Sequence, residues 1–190
     1  MFKEVRSLIF IFAFALFADS AWAKDERSIN GLHEALVALA PEVDPAEAEL
    51  VSRTAHTTSR RLAREYRVVG PPAFHNFLIH RGVRQRGFCY DWVRDIAARL
   101  KEHRPKTLEL HWGASFVGTY RENNCLVVTA RGQPFHDGII IDAWRHAGRL
   151  CWMQVTKDRK NAWVEDMGET AWLQDYGQPK RKPKRATAQR

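Results

Sequence analysis

The sequence predicts an α+β fold: N-terminal helices, then a cysteine-bearing helix packed on an antiparallel β-meander. Three observations carry this prediction. From Ser28 to about His103 the apolar residues recur at helical spacing, whereas from Thr107 to Val155 they fall in short branched runs separated by tight turns. Helices come first and strands second, an order that differs from the alternation of α/β proteins. Finally, a chain of 190 residues, 45% hydrophobic and 27% charged, is long enough for one globular domain with a real core.

Both ends read as separate from that domain. Residues 1–23 open with Lys3 and Arg6, continue through the apolar run Leu8–Ala18, and close on Ala21-Trp22-Ala23, the small-x-small pattern cut by signal peptidase. A membrane anchor is the competing reading, but the eleven-residue run falls short of the roughly 20 residues needed to span a bilayer. Cleavage before Lys24 would make the protein periplasmic or secreted, with no transmembrane helix after cleavage. Residues 178–190 carry Lys180, Arg181, Lys182, Lys184, Arg185 and Arg190 with no acid, which is six of the formal net +8. The leader sums to zero, so the body, 24–177, holds the remaining +2 and no folded face is strongly basic. Pro179 and Pro183 make the tail a disordered segment. It either contacts an anionic surface or is simply solvated; nucleic acid is a poor partner for an exported protein.

The elements follow in order. Ile29, Leu32, Leu36 and Leu39 mark a first helix, ended by Pro41. Asp44-Pro45-Ala46-Glu47 starts the second with an acidic N-cap, a first-turn proline and Glu three residues on. That helix runs to about Tyr66, its polar middle (Thr54, His56, Thr57, Thr58, Ser59) expected to be partly solvent-facing. A short helix from Ala73 to His80 stops at Gly82. The fourth begins at Cys89, with Trp92, Val93, Ile96, Ala97 and Leu100 on one face. Strands are expected at Thr107–Trp112, Cys125–Ala130, Gly138–Trp144 and Leu150–Val155. Beyond Thr156, Trp163 and Trp172 suggest irregular packing over one sheet edge.

Three cysteines leave at least one unpaired in an oxidising compartment. Cys125 and Cys151 could pair, freeing Cys89. No two cysteines stand at zinc-ligand spacing, and no cofactor is expected. Cys89 follows Gly87-Phe88 at a helix start, where amides and the helix dipole can lower a thiol pKa. The bland reading is a small buried residue under the helix.

A cysteine at a helix start (Gly87-Phe88-Cys89), followed by the strand Cys125–Ala130 and then Asp142-Ala143-Trp144, resembles the core of the papain-like cysteine amidases and transglutaminase-like proteins. The resemblance covers roughly residues 85–155 and rests on arrangement. It implies a Cys89 nucleophile, a histidine base and Asp142 orienting the ring, with peptide or cell-wall amide bonds as the substrate class. Where the resembled families place the base, this chain has Asn123-Asn124, and an amide cannot take a thiol proton. Strand direction puts Cys89, His111, Asn123 and Asp142 at one end of the sheet and His136 at the other. His111 is the substitute base, although alternation aims it away from the leucine face unless a bulge near Gly113 intervenes. Asp142, among isoleucines, needs a partner: an arginine, a backbone amide or an imidazole. Trp92, Trp112, Trp144 and Trp152 either line a groove or belong to the core. Two functions follow: a cysteine amidase or peptidase of the envelope, or a catalytically incomplete binding or structural envelope protein on the same fold, with cell-wall peptide or an envelope protein as partner.

Overall fold

The computed structural model describes residues 24–175. The expected leader and basic tail lie outside the described residues. Helix α1 covers 24–37, α2 Pro45–Glu65, α3 Pro72–His80, α4 Cys89–Lys101 and α5 Met167–Gln174. The strands are β1 Leu108–Ser115, β2 Asn123–Ala130, β3 Ile139–Asp142, β4 Cys151–Gln154 and β5 Val164–Glu165. They form one antiparallel sheet in the order β4-β3-β2-β1-β5. Helices before sheet is the α+β order the sequence predicts. No described helix is long and apolar enough to cross a membrane.

The start of α2 is fixed as its sequence dictates. The Asp44 carboxylate accepts from the Ala46 amide at 2.9 Å, and Pro45 occupies the first turn without losing a hydrogen bond. Glu47 does not close a capping box. Its carboxylate reaches across to the chain entering β1 and accepts from the amides of Lys106, Thr107 and Leu108 at 2.7–2.9 Å. One side chain therefore ties the start of α2 to the start of β1.

The β1–β2 register runs without interruption from Leu108↔Ala130 to Ser115↔Asn123, so no bulge intervenes near Gly113. Alternation then sorts the side chains into two faces. Leu108, Leu110, Trp112, Leu126, Val128, Ile139 and Ile141 face the helices and join Leu36, Val51, Leu62, Trp92, Ile96 and Leu100 in the main core. Cys125, Val127 and Ile140 face the other way, onto a small second core with Phe135, Val155 and Trp163.

Two expectations are corrected and one holds in part. The polar middle of α2 is exposed at Thr57 and half-buried at Thr54, but His56, Thr58 and Ser59 are buried, as is Ser52. There Ser52 Oγ donates to the Ile29 carbonyl and Ser59 Oγ to that of Gly148, so hydroxyls replace apolar contacts along the helix seam. The chain after Thr156 is regular rather than irregular: it adds β5 and α5 along the outer edge of β1. That edge is satisfied mostly by α5 and its cap. Thr170 Oγ1 accepts from the Trp112 amide, the Asp166 amide donates to the Trp112 carbonyl, and Gln174 Nε2 donates to the Leu110 carbonyl. Finally, all three cysteines are free. Cys125 and Cys151 sit on β2 and β4 with β3 between them. At about 4.8 Å per strand this puts them roughly 10 Å apart, beyond the ~7 Å Cα limit for a disulfide.

Candidate functional site

Cys89 is the first residue of α4 and is 8% exposed. The turn before it is tightly built. Gly87 has φ +122°, and a Cβ there would lie 2.4 Å from His75 Nε2, so only glycine fits. The amides just before the helix are engaged: Gly87 and Phe88 donate to Asp91 Oδ2 at 2.9 and 3.1 Å. The helix start thus holds a carboxylate, while the Tyr90 amide in its first turn favours the Cys89 thiolate.

The neighbour of the Cys89 sulfur is Asn124, whose Nδ2 donates to Sγ at 3.5 Å. The amide's orientation follows from its other end, because Asn124 Oδ1 accepts from Trp112 Nε1 at 2.7 Å, leaving the NH2 group for the sulfur. The thiol's own contact, to the Glu122 carbonyl, is long at 4.0 Å. Burial pushes the Cys89 thiol up, and the Asn124 and Tyr90 donors only partly oppose it. The crevice beside it, bounded by Trp92, Asn124, Asp142 and Trp144, has no room for a water-sized body.

The other expected residues are not gathered around the sulfur. Cys89, Asn123, Asn124 and Asp142 do share one end of the sheet, and His136 sits past the opposite end of β2. His111 is not at that end: β1 runs on to Ser115, so His111 lies mid-strand, three residues before Ala114, the partner of Asn124, and the faces divide the set further. His111 pairs with Val127 on the second face, where Nδ1 donates to Glu165 Oε1 at 2.7 Å and Nε2 meets Thr129 Oγ1 at 2.9 Å. It is a satisfied strand histidine and cannot act as the base for Cys89. Asn123 lies on that same second face, its Oδ1 accepting from the Asn124 amide; the residue beside the sulfur is Asn124. Asp142 holds no imidazole. It accepts from the Arg145 backbone amide and from Arg145 Nε, each at 3.0 Å, and the same guanidinium reaches Asp158 Oδ2 at 2.6 Å. Burial pushes Asp142 up, whereas Arg145 and three further donors hold Asp158 well below the usual carboxylate range. This cluster is a structural knot at the turn after β3, also joined by Trp163 Nε1.

Trp92 and Trp112 are core residues, and Trp144 and Trp152 are half-buried. Trp152 leads to a cavity that the sequence did not reveal. About 320 Å³ opens between the start of α1, the middle of α2 and β4, lined by Ser28, His56, His146, Arg149 and Trp152 among others. His56 Nδ1 donates to the Ser52 carbonyl at 2.9 Å, so Nε2 is the acceptor for Ser28 Oγ at 2.9 Å. The pair has the composition of a nucleophilic dyad. Trp152 Nε1 also donates to the same Ser28 oxygen at 3.0 Å, so the hydroxyl is held from two sides. The chain from Trp152 through Ser28 and His56 to Ser52 is a clamp joining β4, α1 and α2. Among the described residues no three His, Cys, Asp or Glu side chains converge on a point a metal ion could occupy.

Comparison of the chain with protein-family models, curated proteins and solved structures finds no match to any of them.

Proposed function

We propose that this chain is a binding or structural protein of the cell envelope, built on a papain-like arrangement whose catalytic set is incomplete. The observation that carries this reading is the side chain next to the Cys89 sulfur: an asparagine amide at 3.5 Å, which can donate to a thiolate but cannot take a proton from a thiol. Two further features support it. The thiol is buried with its pKa pushed up, and His111 is engaged by Glu165 and Thr129. The envelope location follows from residues 1–23 as read in the sequence.

The test is alkylation of Cys89 by iodoacetamide as a function of pH, followed by peptide mapping. The expected result is slow modification at neutral pH, with the rate rising only above the ordinary thiol range of about 8.5. Cys89→Ala should leave the partner interaction unchanged. Rapid modification of Cys89 near pH 6, together with loss of an amide-cleaving activity in Cys89→Ala, would restore the cysteine amidase reading.

A further inference from the structure

Helix α3 is oriented the wrong way round for a surface helix. Its sequence, PAFHNFLIH, is mostly apolar, yet its one buried residue is His75. Two of its three polar groups point inward: His75 Nε2 donates to the Arg86 carbonyl at 3.0 Å, and Asn76 Oδ1 accepts from Trp144 Nε1 at 3.3 Å, while His80 is exposed. The aromatic groups point outward. Phe74 and Phe77, one turn apart, are 48% and 53% exposed and stack with ring centroids 6.3 Å apart. Val83, just past the helix, is 58% exposed. A solvated helix ordinarily shows the reverse arrangement.

The segment that carries this apolar patch is itself cationic. From Tyr66 to Tyr90 the chain holds Arg67, Arg81, Arg84 and Arg86 and no acidic residue. Arg81 lies over the Phe77 ring at 5.8 Å, and Arg84 donates to the carbonyls of Arg67 and Val83. Among the described residues Arg67, Arg81 and Arg84 have no carboxylate partner; Arg86 pairs with Asp91 and Asp95. A depression of about 490 Å³ is lined by Arg67, Arg84 and Arg86 together with Val83 and one carboxylate, Glu65.

We propose that α3 and the following loop dock this protein on an anionic lipid surface. Phe74, Phe77 and Val83 would enter the interface, and the guanidinium groups would meet lipid phosphates. Apolar side chains flanked by unneutralised cations are the pattern that such a surface selects. A second copy of the chain is disfavoured, because two such patches facing each other would oppose like charges. The proposal names the partner of the binding-protein reading and rests on it to that extent. It adds a folded contact to whatever the basic residues of 178–190 contribute.

The test is co-sedimentation of the processed chain with phosphatidylcholine vesicles, with and without phosphatidylglycerol, alongside Phe74→Ser/Phe77→Ser and Arg81→Gln/Arg84→Gln. The substituted residues at 74 and 77 are exposed, so both variants should melt with the parent, which circular dichroism checks. Expected are binding to anionic vesicles alone, weakening with added salt, a loss of about fivefold per arginine removed and at least a comparable loss for the double phenylalanine variant. Equal binding by parent and both variants would overturn the assignment, as would no binding to either vesicle. Capture of single-stranded DNA through the same arginines, without vesicle binding, would overturn it in favour of nucleic acid. Cys89→Ala should sediment as the parent does. Failed vesicle binding with slow Cys89 alkylation sinks the docking surface alone. Vesicle binding with fast alkylation sinks the non-catalytic reading alone.

Discussion

At the scale of single residues, most polar groups in the interior are matched by their neighbours, the exceptions among the described residues being His33 Nε2, His75 Nδ1 and Ser115 Oγ. His56 shows the consequence most directly. Burial lowers its pKa below 6.5, and the Ser52 carbonyl and the Asp25 and Glu26 charges do not offset this; Arg60 acts in the same direction as burial. The unfolded ring takes a proton at about 6.5, and the folded ring resists it. Between the folded pKa and that value the unfolded chain binds more protons, so stability rises with pH there. The contribution is complete above about pH 6.5 and is lost as the pH falls through the folded value. Urea midpoints measured from about pH 8 down to about pH 5 should therefore decline. His56→Gln should start lower, having lost the Ser28–His56 clamp, and should decline less steeply. An equally steep decline in the variant would assign the effect to other groups.

At the scale of elements, the joint between α2 and β1 depends on Glu47. Its carboxylate serves three consecutive amides and the Thr107 hydroxyl, and Thr107 Oγ1 also accepts from the Asp44 amide. Glu47→Ala leaves those donors without their acceptor. The expected cost is about 2–4 kcal/mol, or about 2–4 °C in Tm for each kcal/mol. Glu47→Gln, which keeps one acceptor oxygen, should fall between. Differential scanning calorimetry of the two variants checks this order. The helix start itself was readable, because Asp44-Pro45 states its local geometry outright. So were the meander strands, because branched apolar runs between Gly and Pro turns allow little else. Glu47's reach to β1 was not, since it depends on what lies about sixty residues away. β5 escaped notice because two residues carry no period, and its pairing exists only because β1 offers an edge. α5 did leave a signal in Asp166-Met167-Gly168-Glu169, where the Asp166 carboxylate caps the Gly168 and Glu169 amides. For the candidate site, chain direction correctly put Cys89, Asn123 and Asp142 at one end of the sheet. The faces turned on parity: one residue separates Asn124, beside the sulfur, from Asn123, turned away. His111's partner, Glu165, belongs to the strand that could not be foreseen.

At the scale of the whole molecule, the charge is uneven although the body is almost neutral. Arg67, Arg81 and Arg84 have no carboxylate partner among the described residues, whereas Arg53, Arg60, Arg61, Arg94, Arg131 and Arg145 each face one. Together with the exposed Phe74 and Phe77, this run of arginines sets α3 apart as the proposed docking element. The outer edge of β1 has a consequence of a different kind, in the timing of assembly. Strands β1 to β4 are neighbours in sequence and can zip together as successive hairpins while the polypeptide is still being made. The groups that close the other side of β1 arrive about fifty residues after Ser115, in β5 and α5. Until then Leu110 and Trp112 present free amide and carbonyl groups beside an apolar face, the surface on which nascent chains stick to one another. A chain stopped after Trp163 should therefore sediment in the insoluble fraction, and one continued through Asp175 should stay in the supernatant. The last short helix acts as a latch, and its late synthesis sets the interval during which this protein most needs a chaperone.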